Sequence, residues 1–66
     1  MDIVLNGETR RLDGLQSLAG LVESLGLDTR KVAVERNLEI VPRSAYAMTA
    51  LGEGDRVEIV HFIGGG

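Results

Sequence analysis

Arg56-Val57-Glu58-Ile59-Val60-His61-Phe62-Ile63 is the longest β-branched run in the sequence, and it ends against Gly64-Gly65-Gly66. Side chains alternate across an extended strand, so Val57 and Ile59 share the inward face with His61 continuing their row, while Arg56, Glu58, Val60 and Phe62 point outward. The outward row turns apolar as it nears the glycines. A run this apolar has the character of a central strand. Leu51-Gly52-Glu53-Gly54-Asp55 launches it through a turn dense in glycine and aspartate. Beyond it, ordering each glycine would cost about 1–2 kcal/mol of backbone entropy with no side chain to bury in return. The expectation is therefore one folded domain over residues 1–63 and a flexible tail over residues 64–66, with Gly64 and Gly65 bare enough to thread a narrow channel ahead of the Gly66 carboxylate.

Working outward, the chain opens with a strand in which Ile3 and Leu5 face in, its polar row interrupted by Val4. Asn6-Gly7 signals a type I′ hairpin turn, which needs positive φ at both central positions. Glu8 to Leu12 supply the return strand. Ser17 is placed to cap a helix, and Leu18, Leu21, Val22 and Leu25 form one apolar stripe at i, i+3, i+4 and i+7. Gly26 stands where a left-handed C-cap residue belongs, with Leu27 folding back on the helix. Gly20, inside the helix, suggests close approach to a sheet.

Asp28 to Lys31 make a polar connection. Val32-Ala33-Val34 read as a third strand, Arg36 to Glu39 as a turn and Ile40-Val41 as a fourth strand. Pro42 has no amide hydrogen for a ladder and marks an edge or a strand end. Ser44 is placed to cap a short turn through Ala45-Tyr46-Ala47 that carries Tyr46 and Met48 toward the core, the Tyr46 ring buried and its hydroxyl wet.

A single helix must bury its stripe against one sheet, which predicts an α+β domain with the helix across one face of about five strands. Pairing the first and last strands at the centre of a mixed sheet gives a β-grasp arrangement. If those two strands are neighbours, Val4, Val60 and Phe62 form an apolar patch beside the tail, the kind of surface that marks a partner.

Composition removes several functions. The 66 residues include no cysteine, so neither a thiol nucleophile nor a thiolate metal site is available. Seven basic residues against ten acidic ones give a net charge of −3 and argue against nucleic acid. The N-terminus has neither a basic stretch nor an apolar run suited to a signal peptide or membrane span, so a cytoplasmic protein is expected. His61 has no acid partner nearby in sequence, and there is no nucleotide loop or metal-spaced cluster. An enzyme acting alone is not indicated, and no metal or cofactor bound by the chain is expected.

Asn6-Gly7-Glu8, Leu25-Gly26-Leu27, Asn37 with Glu39-Ile40-Val41-Pro42-Arg43-Ser44, Gly54-Asp55-Arg56-Val57-Glu58-Ile59 and the final Gly65-Gly66 occur in an order and spacing that resembles the ThiS family over the whole chain. That family belongs with the ubiquitin-like sulfur carriers of thiamin biosynthesis. Two features depart from its pattern: Leu38 stands where many relatives have glycine or a polar turn residue, and Gly64 precedes the diglycine.

The resemblance implies a protein co-substrate. A ThiF-type adenylating enzyme, using ATP and magnesium, converts the Gly66 carboxylate into an acyl-adenylate. Persulfide sulfur from a cysteine desulfurase or another donor replaces AMP to leave a thiocarboxylate (1-thioglycine) on Gly66, and a ThiG-type thiazole synthase takes up that sulfur. With Gly66 last in the sequence, no protease is expected to be needed to expose the diglycine. The terminal carboxylate, with a reference pKa near about 3.5, is ionised at neutral pH. Phe62 and Ile63 are positioned as an apolar handle for the activating enzyme, alongside Val4 and Val60. Two other readings stay open at this point, a carrier like the small subunit of molybdopterin synthase and a ubiquitin-like modifier that conjugates to proteins.

Overall fold

The computed structural model of the chain describes residues 1–62. Strand β1 (Asp2–Leu5) turns into β2 (Glu8–Arg11), and helix α1 (Leu18–Ser24) follows. A short 3₁₀ turn (Thr29–Lys31) leads to β3 (Val32–Arg36) and β4 (Glu39–Val41), then a second 3₁₀ segment (Arg43–Met48) precedes β5 (Arg56–His61). The five strands lie in the order β2-β1-β5-β3-β4. β1 and β5 run parallel, and the other neighbours are antiparallel. This mixed sheet with one helix is the expected β-grasp arrangement, and β5 is its middle strand.

The local reasons are visible element by element. Asn6 and Gly7 have φ of 49° and 83°, the left-handed pair that lets the first hairpin close in two residues. Ser17 Oγ accepts from the Gly20 N–H at 3.0 Å and caps α1. The helix ends in a Schellman motif: Leu27 N–H donates to the Val22 carbonyl at 3.2 Å and Gly26 N–H to that of Glu23 at 3.0 Å, with Gly26 at φ 76°.

Leu18, Leu21 and Val22 from the helix join Ile3, Leu5, Val32, Val34, Val57 and Ile59 from the sheet in one core, closed by Leu12, Tyr46 and Leu51. Leu25, Leu27 and Val41 pack at its margin. Removing apolar surface from water is the main stabilising term in a domain this small, where each fully buried aliphatic side chain contributes about 1.5–3 kcal/mol.

The structure also departs from the sequence expectations. Met48 is 86% exposed rather than directed at the core, because Arg43–Met48 winds as a 3₁₀ helix that turns Tyr46 alone inward. Pro42, not Ser44, occupies the capping position of that segment, and it makes no side-chain cap bond. The Tyr46 hydroxyl is not left to water: it donates to the Val32 carbonyl at 3.4 Å. His61 is exposed although it continues the inward row of Val57 and Ile59. Gly20 makes no close approach to the sheet, since a Cβ there meets only Ser17 Oγ, at 3.5 Å.

The β3–β4 turn resolves the departure at Leu38. Asn37 and Leu38 both take positive φ, 52° and 70°, so the hairpin closes in two residues as an Asn-Gly turn would, with leucine held in a conformation that favours glycine. Leu38 is 84% exposed and has no burial to offset that strain.

Candidate functional site

The site is built on the last residues of β5. Along β3, Ala33 pairs with Val60 and Val32 with His61, and beyond the strand Phe62 N–H donates to the Lys31 carbonyl at 2.8 Å. Val60 and Phe62 stand on the sheet face away from the helix, 58% and 50% exposed. Ala33, also exposed, borders Val60 on the same face because directly paired residues in antiparallel strands share a side. Two half-covered apolar side chains are thus fixed to rigid backbone just before residues 63–66. Ile63, Gly64, Gly65 and Gly66, and with them the expected tail and the modified carboxylate, lie outside the described residues.

Val4 does not join this patch. The first and last strands are neighbours as expected, but their parallel register sets Val4 opposite Arg56 and Leu5 opposite Val57. Val60 is four residues further along, about 13 Å at the rise of an extended chain. The patch near the tail consists of Val60 and Phe62 with Ala33, and Val4 lies toward the other end of β5.

Two hairpin asparagines hold β5 from opposite sides. At its start, Asn37 Oδ1 accepts from the Arg56 N–H at 2.9 Å, while the Asn37 N–H donates to the Arg56 carbonyl at 2.7 Å. Near its end, Asn6 Oδ1 accepts from the Ile59 N–H at 2.8 Å and Nδ2 donates to the Ile59 carbonyl at 3.3 Å. Sequence reasoning used both asparagines only as turn formers. Nothing local announces the second role, which depends on which strand the turn abuts.

Asp55 ties the start of β5 to the preceding turn. Burial alone would raise its pKa, but the Gly52 N–H at 2.8 Å and Asn37 Nδ2 at 3.1 Å donate to its carboxylate, and the Arg36 guanidinium lies 3.9 Å away. The donors outweigh burial and hold the carboxyl below its ordinary value.

A cavity of about 330 Å³ lies between the β3–β4 hairpin and the second 3₁₀ segment, lined in part by Arg36, Ile40, Pro42 and Thr49. It sits at the end of the sheet where β5 begins, opposite the strand's exit. Among the described residues no group of three or more His, Cys, Asp or Glu side chains could hold a metal ion, and no helix is long and apolar enough to cross a membrane.

The arrangement defines a class: a small β-grasp domain whose middle strand leads directly to a glycine-only C-terminal sequence and carries an apolar surface just before it. The chain matches the ThiS family over residues 3–66 and belongs to it. Its fold superimposes on the crystal structure of the thiamine biosynthesis protein ThiS from Geobacter metallireducens with a TM-score of 0.84, at 33% identity and with all of both chains covered. It is 42% identical over 50 residues to the sulfur carrier protein ThiS of Bacillus subtilis, covering 76% of each. All of the chain also aligns, at 56% identity over 66 residues, with a thiazole synthase of Paramagnetospirillum magneticum. The chain spans about a fifth of the length of that enzyme, 20%.

Proposed function

We propose that the chain is a sulfur carrier for thiazole formation in thiamin biosynthesis, a protein co-substrate rather than an enzyme. The observation that carries this reading is the ThiS family match over residues 3–66, a range that includes Gly65 and Gly66 of this sequence.

The chemistry follows from the weakness of a carboxylate as an acyl donor. The Gly66 carboxylate attacks the α-phosphorus of ATP on a ThiF-type adenylating enzyme, releasing pyrophosphate and forming an acyl-adenylate. Persulfide sulfur from a cysteine desulfurase or related donor then attacks the acyl carbon. AMP leaves, reduction of the S–S bond by a thiol frees the sulfur donor as a disulfide, and a thiocarboxylate remains on Gly66. Thiazole synthase accepts that sulfur. ATP and magnesium belong to the activating enzyme. This chain contributes the acyl group and a recognition surface, for which Val60 and Phe62 are the exposed apolar residues of the described structure and Ile63 the next in sequence.

A thiazole synthase acceptor is favoured over a molybdopterin synthase one because thiazole synthases of two organisms contain a segment similar to this whole chain. The test is pyrophosphate exchange into ATP by a ThiF-type enzyme of demonstrated competence. Exchange that depends on this protein and is lost when Gly66 is deleted supports the proposal. Its absence with the intact protein refutes the proposal.

A further inference from the structure

The parallel ladder between β1 and β5 is only two residue pairs long, Val4↔Arg56 and Leu5↔Val57. After Leu5 the chain swings away into the Asn6-Gly7 turn, so β1 has no residue to offer Ile59. Backbone groups left without partners are costly. Here the missing residue is replaced by a side chain. The Asn6 N–H completes the backbone ladder by donating to the Val57 carbonyl at 2.9 Å. Its carboxamide then imitates one more peptide unit, accepting from the Ile59 N–H and donating to the Ile59 carbonyl.

We infer that Asn6 is a positioning residue for partner recognition: its carboxamide fixes β5 at Ile59 and so presents Val60 and Phe62, immediately downstream, in one orientation to the activating enzyme. The geometry makes this specific. From Ile59 onward, among the described residues, the backbone contacts of β5 run to β3 and to Lys31, on one side. The Asn6 carboxamide is the restraint on the other side, next to the two exposed apolar residues. Its φ of 49° serves the hairpin and would be met by glycine, so the turn and the clamp are separable. The inference rests on the sulfur-carrier reading, because presentation matters only if an enzyme docks there.

The separating variant is Asn6→Gly, which keeps the turn and removes the carboxamide, with Asn6→Asp retaining the acceptor for the Ile59 N–H but losing the donor. Amide hydrogen exchange is followed at Ile59 and, as a control, at Val4, whose N–H donates to the Asp55 carbonyl at 2.9 Å. Pyrophosphate exchange by the ThiF-type enzyme is measured in parallel as a function of carrier concentration. The expected result for N6G is exchange at Ile59 faster by about tenfold relative to Val4, as befits loss of a pair of hydrogen bonds. KM for the carrier should rise about fivefold with kcat unchanged, the signature of weakened docking alone. N6D should fall between the two, and it carries the same comparison if N6G does not fold. Equal acceleration at Ile59 and Val4, or an unchanged KM with Ile59 loosened, overturns the inference while leaving the sulfur-carrier reading intact. A wild-type protein that supports no pyrophosphate exchange removes both, and the two failures are thereby distinct.

Discussion

Replacing Leu38 by glycine should stabilise the domain although it deletes a large apolar side chain. Leu38 sits at φ 70° and is 84% exposed, so the substitution gives up almost no buried area. A residue with a Cβ held in the left-handed region costs about 1–2 kcal/mol relative to its preferred conformations. Glycine relieves that strain but brings a more flexible unfolded chain, a penalty of about 0.5–1 kcal/mol. The difference is a net gain of about 0.5 kcal/mol, which in a domain of this size raises Tm by about 2–4 °C. Leu38→Ala separates the contributions, since alanine removes the same side chain beyond Cβ and keeps the strain. Thermal and urea unfolding of both variants should place L38G above wild type and L38A at or slightly below it. An L38G protein less stable than L38A would refute the reasoning, because it would mean that strain is not the dominant contribution at this turn.

Three further outcomes follow from the same geometry. Gly20→Ala should stabilise the domain by about 1 kcal/mol through helix propensity, because the new methyl meets only Ser17 Oγ at 3.5 Å; a lower urea midpoint would contradict that open space. Asp55, whose carboxyl is held below its ordinary value by its donors, contributes stability that is present above the unfolded pKa of about 3.9 and is lost as pH falls through the lower folded value. Asp55→Asn should therefore be less stable than wild type at pH 7, and the gap should shrink toward the acid end of a pH series of urea midpoints; a constant gap would show that ionisation is not involved. Phe62→Ala should raise the carrier KM in ATP activation with little change in Tm, the side chain being half exposed, and unchanged kinetics would remove Phe62 from the recognition surface.

What could be read in advance was what is encoded locally. Asn6-Gly7 requires positive φ wherever it falls, and the α1 stripe, the Ser17 cap and Gly26 specify a helix without reference to the rest of the chain. The central place of β5 followed from its β-branched composition. Register was another matter. That β1 and β5 are neighbours was legible, but that Val4 pairs with Arg56 rather than lying beside Val60 is set by where the first hairpin turns, and period-two alternation contains no such information.

Met48 shows the same limit. A short turn through Ala45-Tyr46-Ala47 reads as carrying both Tyr46 and Met48 inward, but the Arg43–Met48 segment is a 3₁₀ helix that buries Tyr46 and exposes Met48. The roles of Asn6 and Asn37 on β5 were hidden because a turn asparagine has two functional ends, a backbone that takes positive φ and a carboxamide that bonds to whatever lies alongside. The first end is legible in sequence, and the second only once the neighbouring strand is in place.

The most direct test of the sulfur-carrier account is the intact mass of the protein after incubation with ATP, magnesium, a ThiF-type enzyme, a persulfide source and a thiol reductant, with a Gly66-deleted variant alongside. The account predicts a gain equal to one oxygen replaced by sulfur, located on Gly66 by fragmentation and absent from the deletion variant. An unchanged mass, with an activating enzyme shown competent on its own carrier, would contradict it.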